Sequence, residues 1–356
     1  MTYNVNVRVA LFFPIVKKRK LINIKKEVTM KKILYWSVYK NLEKEFMKLT
    51  DYIHISKDQL NVYSMHIANL IVRVSIEIES ISKELYQQLG GQMNPINPDG
   101  TNRDLYFDTD CLQLLENKWI ISEKEVVVSA INVFLEDDFD RILTPLRKSY
   151  KRGASGSNWK KAYQALKHDR VNSLNKATIK NLLDALGALF ILNLYYINKE
   201  YKYNSSTINN KKFDIRMGSE LFSIKCFSAT GLTCSLNMGD HSIISNISEK
   251  NKCIYIDKET EETFRKTFDN YCKDYEITVK NYNDSPIIKK FLSNHPDYTT
   301  DDKSINQICL DIGGIDLLQN IFSLKNIKSD YVHESEIVVN KNATIYPNLN
   351  YKKDEN

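Results

Sequence analysis

The chain has no CxxC pair: its six cysteines (Cys111, Cys226, Cys234, Cys253, Cys272 and Cys309) are scattered over 356 residues. With no secretory signal beside them, that scatter argues against a disulfide framework and fits a reduced, cytoplasmic compartment. A bilayer-crossing run is lacking too. The longest apolar stretch, "LGALFILNLYYI", is interrupted by Asn193, whereas a spanning helix needs about 20 apolar residues, so no membrane partner is expected. There is no internal repeat, Gly-rich phosphate loop, nucleophile elbow, zinc-protease helix or kinase signature. Cys226, Cys234 and His241 have neither a usual zinc spacing nor a fourth ligand, so no metal site and no cofactor are expected.

What is present is a globular composition. With 42% apolar and 26% charged residues, the chain can bury a real core, and its length suggests about two domains. The formal charge of +6 lies wholly in residues 1–29, where Arg8, Lys17, Lys18, Arg19, Lys20, Lys25 and Lys26 face only Glu27. From Met30 onward the chain is neutral. Read back into codons, "KKEVTM" (Lys25 to Met30) accommodates a purine-rich ribosome-binding sequence just ahead of a start codon. The expectation is that translation starts at Met30 and that 1–29 is an upstream artefact. The alternative is a targeting segment, but its apolar run "VALFFPIV" precedes the basic cluster, the reverse of a secretory signal. Richness in Lys, Asn and Ile points to an AT-rich bacterial genome.

Periodicity predicts a mainly α fold, a helical bundle over 30–203 followed by a smaller α+β region over 204–345 and a disordered tail over 346–356. Tyr39, Leu42, Phe46, Leu49 and Ile53 share one face of a first helix. A second runs from near Lys57 to Gln88, with Tyr63, Ile67, Leu70, Val74, Ile78, Ile81 and Leu85 as its stripe, and "GGQMNPINPDGTN" ends it. "CLQLLENKW" reads as helix, and "VVVSAINVFL" as strand or buried helix. Ser157 or Asn158 caps the helix holding Trp159. Ala177 to Tyr201 is apolar around much of its circumference and belongs at the centre of a bundle, with Gly187 admitting a close neighbour. "NSSTINNKK" reads as a linker. Beyond it, "ELFSIKCF" and "CIYI" read as strands, with helices around Glu259 to Tyr271 and Ile315 to Leu324.

The stretch with most chemistry is "NWKKAYQALKHDR" (Asn158 to Arg170). Trp159, Tyr163 and Leu166 lie at i, i+4 and i+7 and should face the core. His168 lies about half a turn round from Trp159 and should face away. A histidine on a polar face beside Lys167, Asp169 and Arg170 can donate or accept a proton near neutrality; equally, a helix C-terminus attracts cations that complement its dipole. Between Arg147 and Arg170 eight cations (Arg147, Lys148, Lys151, Arg152, Lys160, Lys161, Lys167 and Arg170) face one acid, Asp169. Such a patch holds phosphates, or is a solvated face balanced by Glu136, Asp137, Asp138 and Asp140. In the second helix His66, Arg73, Glu77 and Glu84 share one flank. Glu77 sits among apolar neighbours and needs a partner: Arg170 or His168 across the bundle, or Arg73 at i, i+4.

Two long antiparallel helices, a basic "WxxAYxxLKHxR" stretch and a very apolar helix together resemble the HEPN (higher eukaryotes and prokaryotes nucleotide-binding) superfamily over about Met30 to Tyr203. The resemblance implies a helical bundle that often dimerises to form a cleft. In many members it implies metal-free RNA cleavage in toxin-antitoxin or phage-defence systems. The family signature is an Arg, four to six residues, then a His. Here the His is His168, while Lys161, Ala162 and Tyr163 occupy the positions allowed for the Arg. Either Lys161 or Arg170 then stabilises the phosphate, with His168 as general acid or base, or the domain keeps the fold without catalysis. The resulting expectation is an endoribonuclease or RNA-binding effector of a bacterial defence or stress system. His168 and Arg170 would be catalytic, Glu77 would orient them, and Lys160, Lys161, Lys167 and Arg152 would contact phosphate. RNA, a second copy of the chain and an antitoxin or defence-system protein are its implied partners. The alternative is a non-catalytic module that dimerises through its apolar helices, with a solvated basic surface.

Overall fold

The computed structural model describes residues 33–204, 213–228, 247–300, 303–322 and 334–342. The leader 1–29, the linker beyond residue 204, Cys234, His241 and the tail lie outside the described residues. Helix α1 (33–47) buries Tyr39, Leu42 and Phe46, as their spacing predicts, but it ends before Leu49, which falls in the 3-10 turn Lys48–Asp51, and before Ile53. The second helix starts later than expected. A 3-10 turn at Lys57–Asn61 and an extended Val62 to Ser64 precede α2 (Met65–Gln88), whose first turn is capped by Ser64 Oγ accepting the Ile67 N–H at 3.1 Å. Tyr63 is consequently outside the buried stripe: it bridges Thr178 and stays half-exposed. Strand β1 (Ile55–Ser56) pairs in parallel with β3 (Val133–Phe134). Helix α3 (Gln113–Trp119), strand β2 (Val126–Val128), the short α4 (Asp138–Arg141) and β4 (Ile142–Leu143) complete the segment. "VVVSAINVFL" is therefore strand rather than helix.

After α5 (Asn158–His168) and the single turn α6 (Arg170–Ser173), helix α7 (Ile179–Ile197) runs through the centre. It is buried on nearly every side and packs along α2, so it offers no apolar face to a second copy. Gly187 lets β2 and Pro145 approach: an added Cβ would lie 3.2 Å from Val126 Cγ2 and 3.3 Å from Pro145 Cγ.

Strand β5 (Tyr201–Asn204) is followed by β6 (Phe222–Ile224), β7 (Cys226–Ser228), α8 (Ile247–Lys252), β8 (Tyr255–Glu259), α9 (Glu261–Asp284), α10 (Pro286–Asn294), α11 (Ile305–Ile321) and β9 (Glu334–Val339). The fold is mainly α with a smaller α+β region, and that region is more helical than periodicity suggested. Helices α9, α10 and α11 enclose a small core of their own around Ile288, Cys309, Leu317 and Ile321. The boundary expected at 203/204 does not separate two cores. Strand β6 pairs antiparallel with β2, Val126 opposite Ile224, in a sheet ordered β4-β2-β6. A second sheet, β5-β9-β8-β7, places Tyr255, Ile337 and Val339 in the same apolar core as α2 and α7.

Glu43 of α1 ties the two regions. Its carboxylate is 1% exposed and accepts hydrogen bonds from Tyr39 Oη at 2.9 Å, the Glu220 and Leu221 N–H groups at 3.0 Å, Ser219 Oγ and Lys40 Nζ. Burial alone would raise its pKa, but the bonds from Lys40, Ser219, Leu221 and Tyr39 outweigh it and hold the carboxyl below its ordinary value of 4.5. Replacing Glu43 with Ala leaves several buried donors unpaired and is expected to lower stability by about 3 kcal/mol in urea unfolding. Since the folded-state pKa is depressed, the contribution is complete above the ordinary carboxyl value and is lost as pH falls through the folded value. Glu43→Gln should therefore flatten the acid side of the stability profile, and an unchanged acid limb would reject this role.

Candidate functional site

Helix α5 is placed by Trp159. Its indole N–H donates to the Pro145 carbonyl at 2.8 Å, and Trp159, Ala162, Tyr163 and Leu166 are buried. The opposite face of α5 carries Lys161, Lys167 and His168 into solvent, as the helical spacing requires. Lys160 departs from its expected role. It is 3% exposed, and its ammonium donates to Asp108 Oδ2 at 3.1 Å and to the carbonyls of Ser149 (2.8 Å) and Lys151. Three acceptors occupy its three donors. It is a buried brace and not a surface contact for phosphate.

Asp108 reaches Lys160 because the backbone before α3 is a π-helical turn, Phe107–Leu112, in which the Cys111 N–H donates to the Tyr106 carbonyl five residues back at 3.2 Å. Such turns insert a residue into the helical count and recur at functional sites. Asp108 also accepts from Arg152, at 2.8 Å to Oδ1 and 3.3 Å to Oδ2, and from the Thr109 N–H at 2.8 Å. Burial pushes the Asp108 carboxyl up, but Arg152, the Thr109 amide and Lys160 more than reverse this and hold it below its ordinary value. Lys160 moves the other way from an ordinary lysine: burial lowers its pKa more than Asp108 raises it. Arg152 also lies over the Tyr106 ring, 3.8 Å from its centroid.

Above this brace opens a cavity of about 740 Å³, between α2, the π-turn and α5. Six cations line it (Lys83, Arg152, Lys160, Lys161, Lys167 and Lys176) against two acids, Glu79 and Asp108. Leu105, Tyr106 and Phe107 supply an apolar wall. Asp108 is fully engaged by Arg152 and Lys160. Lys83, Lys161, Lys167 and Lys176 make no ion pair among the described residues, so the cleft keeps a strong positive field. It can hold a polyanion by charge and hydrogen bonding.

The expected site residues therefore divide. Lys161, Lys167 and Arg152 line the cleft, with Arg152 already committed to Asp108. His168 is exposed at the end of α5 and does not line the cavity. Arg170 belongs to a second, smaller pocket of about 340 Å³ with His66, Asn69, Arg73 and Glu45, and donates to Asn69 Oδ1 at 3.0 Å. Glu77 is corrected as an orienting carboxylate. It bonds to neither His168 nor Arg170 among the described residues, because that flank of α2 packs on α1. Arg73 forks onto Glu45 at 2.6 and 2.8 Å, and Glu77 and Glu84 lie toward Tyr35. Burial raises the Glu77 carboxyl, with Arg73 opposing. Two residues further along α2, about 200° round the axis, Glu79 occupies the cleft instead.

Sequence reasoning missed Glu79, Lys83, Tyr106, Asp108 and Lys176. The i, i+4 spacing of Glu79 and Lys83 marks a polar flank of α2, which was a usable signal; nothing in the pattern around Asp108 announces a π-turn. Among the described residues no cluster of His, Cys, Asp and Glu is arranged to hold a metal, and no helix is long and apolar enough to cross a membrane.

Comparison with protein families, curated proteins and solved structures yields no match to this chain.

Neutralising Asp108 isolates the brace. Asp108→Asn leaves the Lys160 ammonium buried without a counter-charge and is expected to destabilise the fold by about 3 kcal/mol. Adding Lys160→Met should restore part of the loss. Urea unfolding of both variants beside wild type checks this, and a single-variant loss below about 1 kcal/mol would mean that the pair carries little weight.

Proposed function

We propose that the protein is an RNA-binding effector that holds single-stranded RNA in the basic cleft. The observation that carries the reading is the grouping of four lysines without ion pairs, Lys83, Lys161, Lys167 and Lys176, around a cavity with the aromatic Tyr106 on its wall. Lysines held near one another bind successive phosphates and release counterions, and the Arg152 guanidinium lying on the Tyr106 ring offers a plane against which an unstacked base can pack. Arg152 remains on Asp108, so it supports the wall and contributes charge at the rim.

A second reading is metal-independent cleavage, favoured by one observation: Lys167 lines the large cleft, Arg170 lines the small pocket, and His168 is exposed between them in the chain. A strand running from one pocket to the other would pass the imidazole, which then acts as general acid or base, with Arg170 or Lys161 facing the phosphate. On this reading the protein is a HEPN-like ribonuclease of a bacterial defence or stress system, working in the cytoplasm, with an antitoxin-like partner or a second copy of itself. Cleavage of a single-stranded RNA in the presence of EDTA, abolished by His168→Ala and by Arg170→Ala, is its expected signature. Full activity in both variants would leave binding alone.

For binding, Lys161→Glu with Lys167→Glu is expected to weaken the affinity for a short single-stranded RNA at least about tenfold. It should also reduce the slope of log affinity against log salt by about 1.4, the value for two lost phosphate contacts on a single strand. Fluorescence anisotropy across a salt series measures both, and an unchanged slope would exclude the cleft as the RNA site.

A further inference from the structure

We infer that Glu79 selects ribose over deoxyribose in the cleft by accepting a hydrogen bond from a 2′-hydroxyl of the bound strand. This rests on the RNA-binding reading and adds to it the group within the ligand that the chain recognises.

A carboxylate is out of place in a phosphate-binding cleft, because it repels the ligand that the lysines attract. Glu79 could be neutralised locally, since Lys83 stands four residues further along α2, the spacing at which such pairs form. No such pair is made: among the described residues Glu79 has no ion pair with Lys83, Lys161, Lys167 or Lys176, although all five line one cavity. Its neighbour is the phenol of Tyr163. That ring is 3% exposed, lies beneath the Lys167 ammonium at 5.8 Å, and is fixed in the core of α5. Burial, followed by the Glu79 carboxylate, pushes the phenol pKa up to about 12, so it stays a protonated donor facing Glu79. The Glu79 carboxylate thus faces a buried phenol whose own place is fixed by the packing of α5.

An ionised carboxylate accepts hydrogen bonds and donates none, and it has about four lone-pair sites. One phenol cannot fill them all, and Glu79 lines the cavity. Phosphate cannot fill them, because it too only accepts. The ligand group that fits is a neutral donor lying within one nucleotide of a phosphate, and in a nucleic-acid strand the 2′-hydroxyl of ribose meets that description. Carboxylates pair with ribose hydroxyls in the same way in dinucleotide sites.

The test uses decauridylate and its deoxyuridine counterpart, labelled at one end, with anisotropy read at one fixed salt concentration. Uracil has no exocyclic amine and the two strands carry the same base, so any difference between them reports the sugar. Wild type is expected to bind the ribo strand about tenfold more tightly, the size expected of one hydrogen bond to a charged acceptor. Glu79→Ala should bring the two strands to within about twofold, and Glu79→Gln, which keeps a carbonyl acceptor, should retain part of the preference. Matching urea midpoints for the variants confirm that the fold is kept. Equal binding of both strands by wild type, or a preference that survives Glu79→Ala, overturns the inference and leaves the RNA-binding reading standing. Failure to bind either strand, or binding indifferent to Lys161→Glu with Lys167→Glu, overturns that reading and the inference with it.

Discussion

The cleft depends on one buried carboxylate. Asp108 receives a guanidinium, an ammonium and a backbone amide, and in doing so it joins the π-turn before α3 to a distant stretch of chain, the loop holding Arg152 and the first turn of α5. The Asp108 and Lys160 charges would each be costly to bury alone, and with the half-exposed Arg152 they satisfy one another. Glu43 does comparable work on α1, where it receives the turn leading into β6. In both places a short acidic side chain gathers donors that secondary structure leaves unpaired. The apolar core supplies most of the driving force for folding, and these two groups fix how its pieces are oriented.

Much of the helical architecture was legible because helix periodicity is a local signal. The stripes of α1 and α2, the inward face of α5 and the central position of α7 follow from residues three and four apart, and Gly187 meets the close neighbours its position suggested. The errors arise where long-range partners decide. Ser64 caps α2 and Tyr63 bridges Thr178, so the helix begins later than the pattern of Tyr63 and Ile67 implies. Strand β2 belongs to a sheet completed by β6, about a hundred residues away, and no local rule assigns that pairing.

The candidate site was legible in its charge and not in its geometry. Half of the eight cations between Arg147 and Arg170, namely Arg152, Lys160, Lys161 and Lys167, line the cleft, but the spacing could not tell Lys160, turned inward beside Trp159, from Lys161, turned out. Glu77 and Glu79 differ by two positions and by nearly half a helical turn, and only the packing of α1 decides which of them remains open. The acids upstream of the cluster do not neutralise it. Asp137 and Asp140 instead hold Lys57 at 3.1 and 3.0 Å.

The π-turn makes the cleft sensitive to the number of residues in one segment as well as to their identity. Cys111 bonds five residues back instead of four, so the chain carries one residue more between Tyr106 and α3 than an α-helix would need. Removing a single residue there, Thr109 for example, would let ordinary helical bonding resume and turn the preceding side chains by about 100°. Asp108 would swing away from Lys160 and Arg152, and Tyr106 would leave the wall. A relative of this chain that retains every lysine of the cleft, yet is one residue shorter at this point, would be built around a different floor.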